Sequence, residues 1–429
     1  MSLLTALTTG TAGLQANSTE LSVVGDNIAN ANTIGFKAGR AAFQDQLMQQ
    51  LIGVNGGGQV GLGARLQAIQ RIITQGALTT TGLATDLALD GPGFFVLKGD
   101  HGGINGQFYT RAGQFTVDRD GFLTNLEGLR VQGYPNSATG QAIGGLGDLQ
   151  VGTATAAALP TGNITLRANL NADAAVQTFD PTSPTTTSNF SSTTTIYDSL
   201  GKQHTVDVYW NKSAAGTWEF HAMTDGGGLN GGTAGVPTEI ATGTLDFDTN
   251  GKLVSVNQSS NFDPLGATTP QAITFNMGDP TGVNNGTGLA GVTQFASPSA
   301  TTFTGQDGAP FGALTSVQIN NRGEVMGAFT NGTTRVLGQV AVADFEASDR
   351  LQRNGGNLLT ETLDSGQATI GAPAEGGRAS IVAGALEQSN VDLAGEFVRM
   401  IAAQRGFQAN SKTITTADSL LQELMQLKR

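Results

Sequence analysis

The sequence predicts an α+β fold, mainly β, closed at both termini by α-helices of coiled-coil character. Three observations carry this. Leu7, Leu14, Leu21 and Ile28 recur at intervals of seven near the N-terminus. Leu393, Met400, Phe407, Ile414 and Leu421 recur at the same interval near the C-terminus. Between them runs a Gly- and Thr-rich chain of short alternating segments separated by turn residues. A repeat of seven marks a helix whose apolar stripe needs a partner, and alternation between turns marks strands.

Ser2 to Ile28 reads as one helix, with Leu3, Leu7, Leu14, Leu21, Val24 and Ile28 on its stripe. Gly10 and Asn17 fall where the stripe wants apolar residues, and Gly13 and Gly25 lower propensity further. Such a helix is marginal alone. Two readings stand: it docks on its own domain, or it is ordered only by neighbouring subunits. Asn27, Asn30 and Asn32 compete for backbone hydrogen bonds, so they end the helix and bend the chain into Thr33–Phe36. Ala41 to Ile52 is a short helix or an extended amphipathic strip. Gly53 to Gly63 is a flexible connector. Gly56, Gly58 and Gly61 formally spell G-x-G-x-x-G, but no strand precedes them and the alternating Leu66, Ala68, Gln70, Ile72 follows.

From Arg65 to Val151 strands alternate with turns, as in a meander or small sandwich, with Gly91-Pro92-Gly93 leading into Phe94-Phe95. Asp86 and Asp90 suit a turn and strand edge better than paired catalytic carboxylates, since no His lies near. Residues 152–195 are rich in Thr, Ala, Ser, Asn and Pro and should contain at least one crossing between domains. Thr193–Val208 and Ala241–Val256 read as hairpins. Asp246, Asp248, Asn250 and Gly251 imitate the start of a calcium loop, but the twelfth position is Asn257 and the flanks are strands. Thr315–Phe329 makes a further hairpin and Val336–Phe345 a strand. Arg350–Pro373 is irregular, and a helical pattern resumes near Ala379.

Composition narrows the function. At 429 residues the chain should form two to four domains. Its 38% hydrophobic and 6% aromatic content is low for a large enzyme, whereas 61 glycines suit modest β cores with many turns. A net charge of −12 without a Lys/Arg cluster argues against nucleic acid and anionic membrane surfaces as partners. The absence of cysteine excludes disulfides and thiolate chemistry. The first basic residue is Lys37, so the charged region of a signal peptide is missing, and no apolar run approaches the roughly 20 residues of a membrane helix. His101, His204 and His221 show no metal-ligand spacing, and neither a nucleophile elbow nor a P-loop lysine occurs. The expectation is a protein that is not an enzyme and uses no cofactor or metal.

The motifs at both ends resemble the bacterial flagellar rod and hook family of axial proteins. Asn27, Ile28, Asn30, Thr33, Gly35, Phe36 and Lys37 match its N-terminal signature, with Asp26 where many members carry Asn. Asp86–Leu89 with Gly91, Gly93, Phe94 and Phe95 follows, then Tyr109–Arg111 and Gln132–Tyr134. Leu386-Glu387, Ser389, Asn390, Val391, Asp392, Gln404 and Arg405 close the match, with Phe407 replacing the usual Tyr.

The resemblance implies two discontinuous or inserted β domains outside a helical core. Residues 1–29 and 379–429 would form the inner helical domain, 30–73 a connecting segment, 74–165 with 303–378 a first β domain, and 166–302 an inserted outer domain. The insertion between Asn171 and Ala300 implies a hook rather than a rod subunit. A distal rod protein is the alternative, since Asp45–Gln59 is long, and a secreted β-rich adhesin is a second. The implied assembly is a tubular homopolymer. Its implied neighbours are rod and hook–filament junction proteins, the hook cap and the flagellar export apparatus, outside the cell and without a cleavable signal peptide. Polar interruptions at Asn17, Gln404, Ser411 and Asp418 would keep free subunits soluble until many copies bury their heptad faces together.

Overall fold

The computed structural model describes residues 3–46, 49–50, 59–136, 144–283 and 285–427. They form two compact units, one of 1–154, 316–327 and 335–429 and one of 155–315 with 328–334.

In the first unit the N-terminal helix, Leu3–Ala29, packs antiparallel on the C-terminal helix, Leu393–Leu427. Small residues let the axes approach. A Cβ on Gly13 would lie 2.5 Å from the Asn410 amide, and one on Gly406 would lie 2.6 Å from Asn17 Oδ1. Glycines that weaken the helix in isolation therefore make its packing seam possible.

The helical pattern expected from near Ala379 begins only at Leu393. Ser380–Ala383 and Ala385–Glu387 are strands, paired antiparallel with Leu87–Asp90 and Leu78–Thr80. Backbone groups that a helix would use internally complete these ladders instead. Asp392 then starts the helix, its Oδ1 accepting from the Ala394 amide at 3.1 Å as an N-cap does. Of the strip expected at Ala41–Ile52, Gly39–Asp45 is a strand paired with Ala64–Arg71, with an irregularity at Ala42/Phe43. Leu51, Ile52 and the connector through Gly58, including Gly56, lie outside the described residues.

Strand Phe94–His101 organises the β part of this unit, pairing with Ile104–Thr110, with Arg130–Pro135 and with Val342–Asp344. Alternation sends Phe95 into a core with Leu97, Val131 and Val340, its ring edge-on to Phe115 at 5.1 Å. Phe94 points into a second cluster with Tyr109 and Phe345. Gly93, at φ +130°, has no room for a side chain, since a Cβ would meet Val342 at 2.6 Å.

The second unit contains a five-stranded antiparallel meander in sequence order: Phe190–Tyr197, Gln203–Ala214, Thr217–Asp225, Pro237–Phe247 and Leu253–Ser260. Asn163–Asn171 anchors a smaller sheet, parallel to Thr274–Asn276 and Thr293–Phe295 and antiparallel to Ala300–Gln306. Trp210, Trp218 and Phe220 from the meander share one core with Ile164, Leu166 and Phe275 from the smaller sheet. The Asp248 turn is a hairpin corner. Its Oδ1 accepts from the amides of Asn250 and Lys252 at 2.9 and 2.8 Å.

Candidate assembly site: the joint and the helix faces

The bend after the N-terminal helix is built on side-chain amides that imitate backbone. Asn27, 1% exposed, donates from Nδ2 to the Gly39 carbonyl and accepts from the Gly39 amide, both at 2.8 Å. Asn30 Nδ2 donates to the Asp26 carbonyl at 2.9 Å, and Thr33 Oγ1 donates to Asn30 Oδ1 at 3.1 Å. Gly35 then takes φ +70°, where a Cβ would sit 2.5 Å from the Ala112 amide nitrogen. That turn buries Phe36 and aims Lys37 inward.

Lys37 meets the far end of the chain. Its ammonium pairs with Glu387 at 2.5 Å and donates to the Thr74 carbonyl at 2.7 Å. Glu387 is fully buried. Its other oxygen pairs with Arg111 at 3.1 Å, and its Oε1 also accepts from the Gly76 amide at 2.8 Å. Arg111 in turn donates to the Gly91 carbonyl at 2.7 Å and lies over the Phe94 ring. Burial pushes both Lys37 and Arg111 below their ordinary values, and Glu387 opposes that by favouring their charged forms.

Asn390 forms a second tie. Its Oδ1 accepts from the Ala38 amide at 2.8 Å, and its Nδ2 donates to the Ile72 and Thr74 carbonyls at 2.8 and 3.1 Å. Gly35 completes the closure by donating its amide to the Glu387 carbonyl at 2.7 Å. The structure thus joins Asn27, Gly35, Phe36 and Lys37 to Asn390, with Gly91 and Phe94 on the rim. Ser389 Oγ accepts from the Val391 amide at 3.4 Å, next to the Asp392 cap. Thr74, Gly76 and Arg111 belong to this network although sequence patterning does not mark their contacts. A glutamate ending the short apolar strand Ala385–Glu387 is the one local signal of a buried charge.

The heptad residues divide. On the N-terminal helix Leu7, Leu14, Leu21 and Ile28 are all half-buried. On the C-terminal helix Met400 and Ile414 are half-buried, whereas Leu393, Phe407 and Leu421 are exposed. The most buried positions of that helix are instead Glu396, Ala403 and Ala417. Phe397, Val398, Ile401, Leu420 and Met425 are exposed as well. Gln404 and Arg405 point to solvent outside the joint network. No helix among the described residues is long and apolar enough to cross a membrane.

The two ends are tied at one buried charge node with an apolar helix surface beside it, and comparison with known proteins gives the class: a subunit of an axial assembly of the rod and hook type. Residues 7–37 match the family model of the flagella basal body rod protein, and 382–427 that of the flagellar basal body rod FlgEFG protein C-terminal. Residues 88–176 match the flagellar hook protein FlgE/F/G D1 domain, and 165–309 the flagellar basal body protein FlaE D2 domain. The chain is 34% identical to the flagellar hook protein FlgE of Treponema pallidum (strain Nichols) over 483 residues, covering 100% of both sequences. It is 33% identical to the flagellar hook protein FlgE of Escherichia coli (strain K12), covering 99% of this chain and 100% of that one. The chain belongs to the flagellar hook protein family. The crystal structure of Helicobacter pylori flagellar hook protein FlgE2 aligns with 71% of this chain and 98% of that one, at 15% identity and a TM-score of 0.47.

Proposed function

We propose that this chain is the structural subunit of the bacterial flagellar hook, polymerising through its terminal helices into a curved, bendable tube that carries torque from rod to filament. Alongside family membership, the observation that carries this is the C-terminal helix. Phe397 at 50%, Val398 at 66% and Ile401 at 56% exposure present apolar surface that a free subunit leaves in water. Burying it between copies offsets the ordering of both ends.

The same reading assigns the pieces. Residues 1–29 and 379–429 supply the tube core, 30–73 the connection, 74–165 with 303–378 the first β domain, and 166–302 the outer domain. Leu7, Leu14, Leu21, Ile28, Leu393, Met400, Phe407, Ile414 and Leu421 would bury between or within copies. The Lys37–Glu387–Asn390 node fixes how the β domain leaves the core. Rod proteins below, junction proteins above, a cap at the growing end and the export apparatus are the neighbours this role requires. The chain would travel to the hook without a cleavable signal, in a structural role. Electron microscopy of the purified chain under assembly conditions tests the reading. Curved tubes are expected; short straight tubes would indicate a rod subunit, and discrete particles under all conditions would overturn it.

A further inference from the structure

Within the first unit, the two terminal helices and the ribbon of Gly39–Asp45 with Ala64–Arg71 make a helical part distinct from the β part. The chain passes between these parts at 30–38, 72–77 and 388–392. The passages are stitched to one another. Asn390 binds the Ala38 amide and the Ile72 and Thr74 carbonyls, while Lys37 binds Thr74 and Glu387. The Ile72 amide adds a bond to the Ala38 carbonyl at 2.8 Å. Passages gathered at one point form a pivot, since a few residues at element ends can absorb a rotation while the ladders on either side stay intact.

Away from that pivot the parts touch differently. Near the end of the N-terminal helix, Asp26 Oδ2 accepts from Arg353 Nη1 at 3.0 Å, and Asn357 Nδ2 donates to the Ile34 carbonyl at 2.7 Å. The ion pair is half in water, with Arg353 45% and Asp26 50% exposed at the side chain. Ion pairs so exposed hold weakly. A like charge also works against this one. Burial, then the charge of Arg353, pushes Arg71 at the end of the ribbon down to about 10, with Asp349 opposing. Alongside lies an open cleft of about 520 Å³, with Asp26 and Arg71 on the helical side and Glu127 and Gly356 on the β side. The gap gives its two walls room to approach or part.

The residue at 26 is also where this chain departs from the Asn that many members of the family carry. An Asn would keep the acceptor that Asp26 Oδ1 offers Asn30 Nδ2 at 3.0 Å, but would offer Arg353 no charge. We propose that Asp26 and Arg353 form a releasable latch. Closed, it sets the angle between the helical and β parts; released, it lets the helical part tilt about the Glu387–Asn390 pivot as the tube bends. The link to bending rests on the hook reading above, whereas the latch itself is a property of the single chain.

The chain has no cysteine, so spin labels attach only where one is introduced. Labels on Ser18→Cys and Ile104→Cys, both at exposed positions, report the distance from the N-terminal helix to the β part in the free chain. A main closed distance and a minor open one are expected. Asp26→Asn should raise the open population by about two- to fivefold, as the loss of one exposed ion pair allows. Adding Asn357→Gly, which suits the backbone at φ +58°, should raise it further. A control pair on Ser18→Cys and Gln67→Cys lies within the helical part and should keep one distance in every variant. Identical Ser18–Ile104 distributions in all three backgrounds overturn the latch. So does equal broadening of the control pair, since the helix would then be fraying rather than tilting. In a second arm, tubes of Asp26→Asn should show a shorter persistence length in electron micrographs than wild-type tubes. Tubes of equal stiffness overturn the link to bending. A wild-type chain that never forms tubes sinks the hook reading alone, and the label distances still decide the latch.

Discussion

The joint and the C-terminal helix are both made where the two ends of the chain meet, yet they reach opposite states in a single subunit. At the joint, Glu387 is fully buried and bound by Lys37, Arg111 and Gly76, while Asn390 spends its amide on three backbone groups. Along the helix, Ile414, Asn410 and Gly406 meet Gly10, Gly13 and Asn17 of the N-terminal helix, while Phe397 and Ile401 stay exposed. One region is complete in the monomer and the other is not. The difference teaches where the single chain is closed and where it is open: the joint satisfies its own buried groups, and the helix leaves apolar surface in water, which is where the proposed function places assembly.

Breaking the joint should have the largest effect on the subunit itself. Glu387→Ala leaves Lys37 and Arg111 buried without a counter-charge, and should destabilise the first unit by about 3–5 kcal/mol, read from urea unfolding. Asn390→Ala removes one acceptor and one donor that tie three segments together. It should cost about 1–3 kcal/mol, with the Ala38 amide losing exchange protection first. A loss under about 0.5 kcal/mol in either would show that the joint is not the rigid region.

The helix pair should respond more gently, and to pH. Burial raises Glu20 from its ordinary 4.5, Arg399 opposes this, and Glu396 adds to it. The folded group holds its proton more tightly than the unfolded one. Its contribution is therefore full below about 4.5 and is lost as pH rises through the folded value. Helicity of the free chain should accordingly firm as pH falls from neutral toward that window, and Glu20→Gln should flatten the response. The smallest change in monomer stability belongs to the outer helix face. Phe397→Ser with Ile401→Ser should move unfolding by no more than about 0.5 kcal/mol, yet leave no tubes visible by electron microscopy.

Much of this was legible in the sequence. The repeats of seven place both helices, and the asparagines after Gly25 mark the bend. Alternation finds the hairpins at 193–208 and 241–256, because half-buried strands announce themselves locally. The joint's chemistry was not legible: Lys37 and Glu387 lie 350 positions apart, and pairing over that separation leaves no local pattern. The inward seam was hidden for another reason. It is made of glycine, alanine and asparagine, so an apolar template follows Leu393, Phe407 and Leu421, which point outward. Ser380–Glu387 carries the same apolar composition as the helix it precedes, so the sequence alone does not separate them; the partner strands Leu78–Thr80 and Leu87–Asp90 decide it.

Hydrogen exchange of the free chain beside its assembled tube tests the central contrast most directly. Amides of Ala38, Gly39 and Gly76 should be protected in both states. Those of the C-terminal helix beyond Phe397 should exchange quickly in the free chain and slowly in the tube. Equal protection of that helix in both states would contradict the account, because the helix would then be complete without its neighbours.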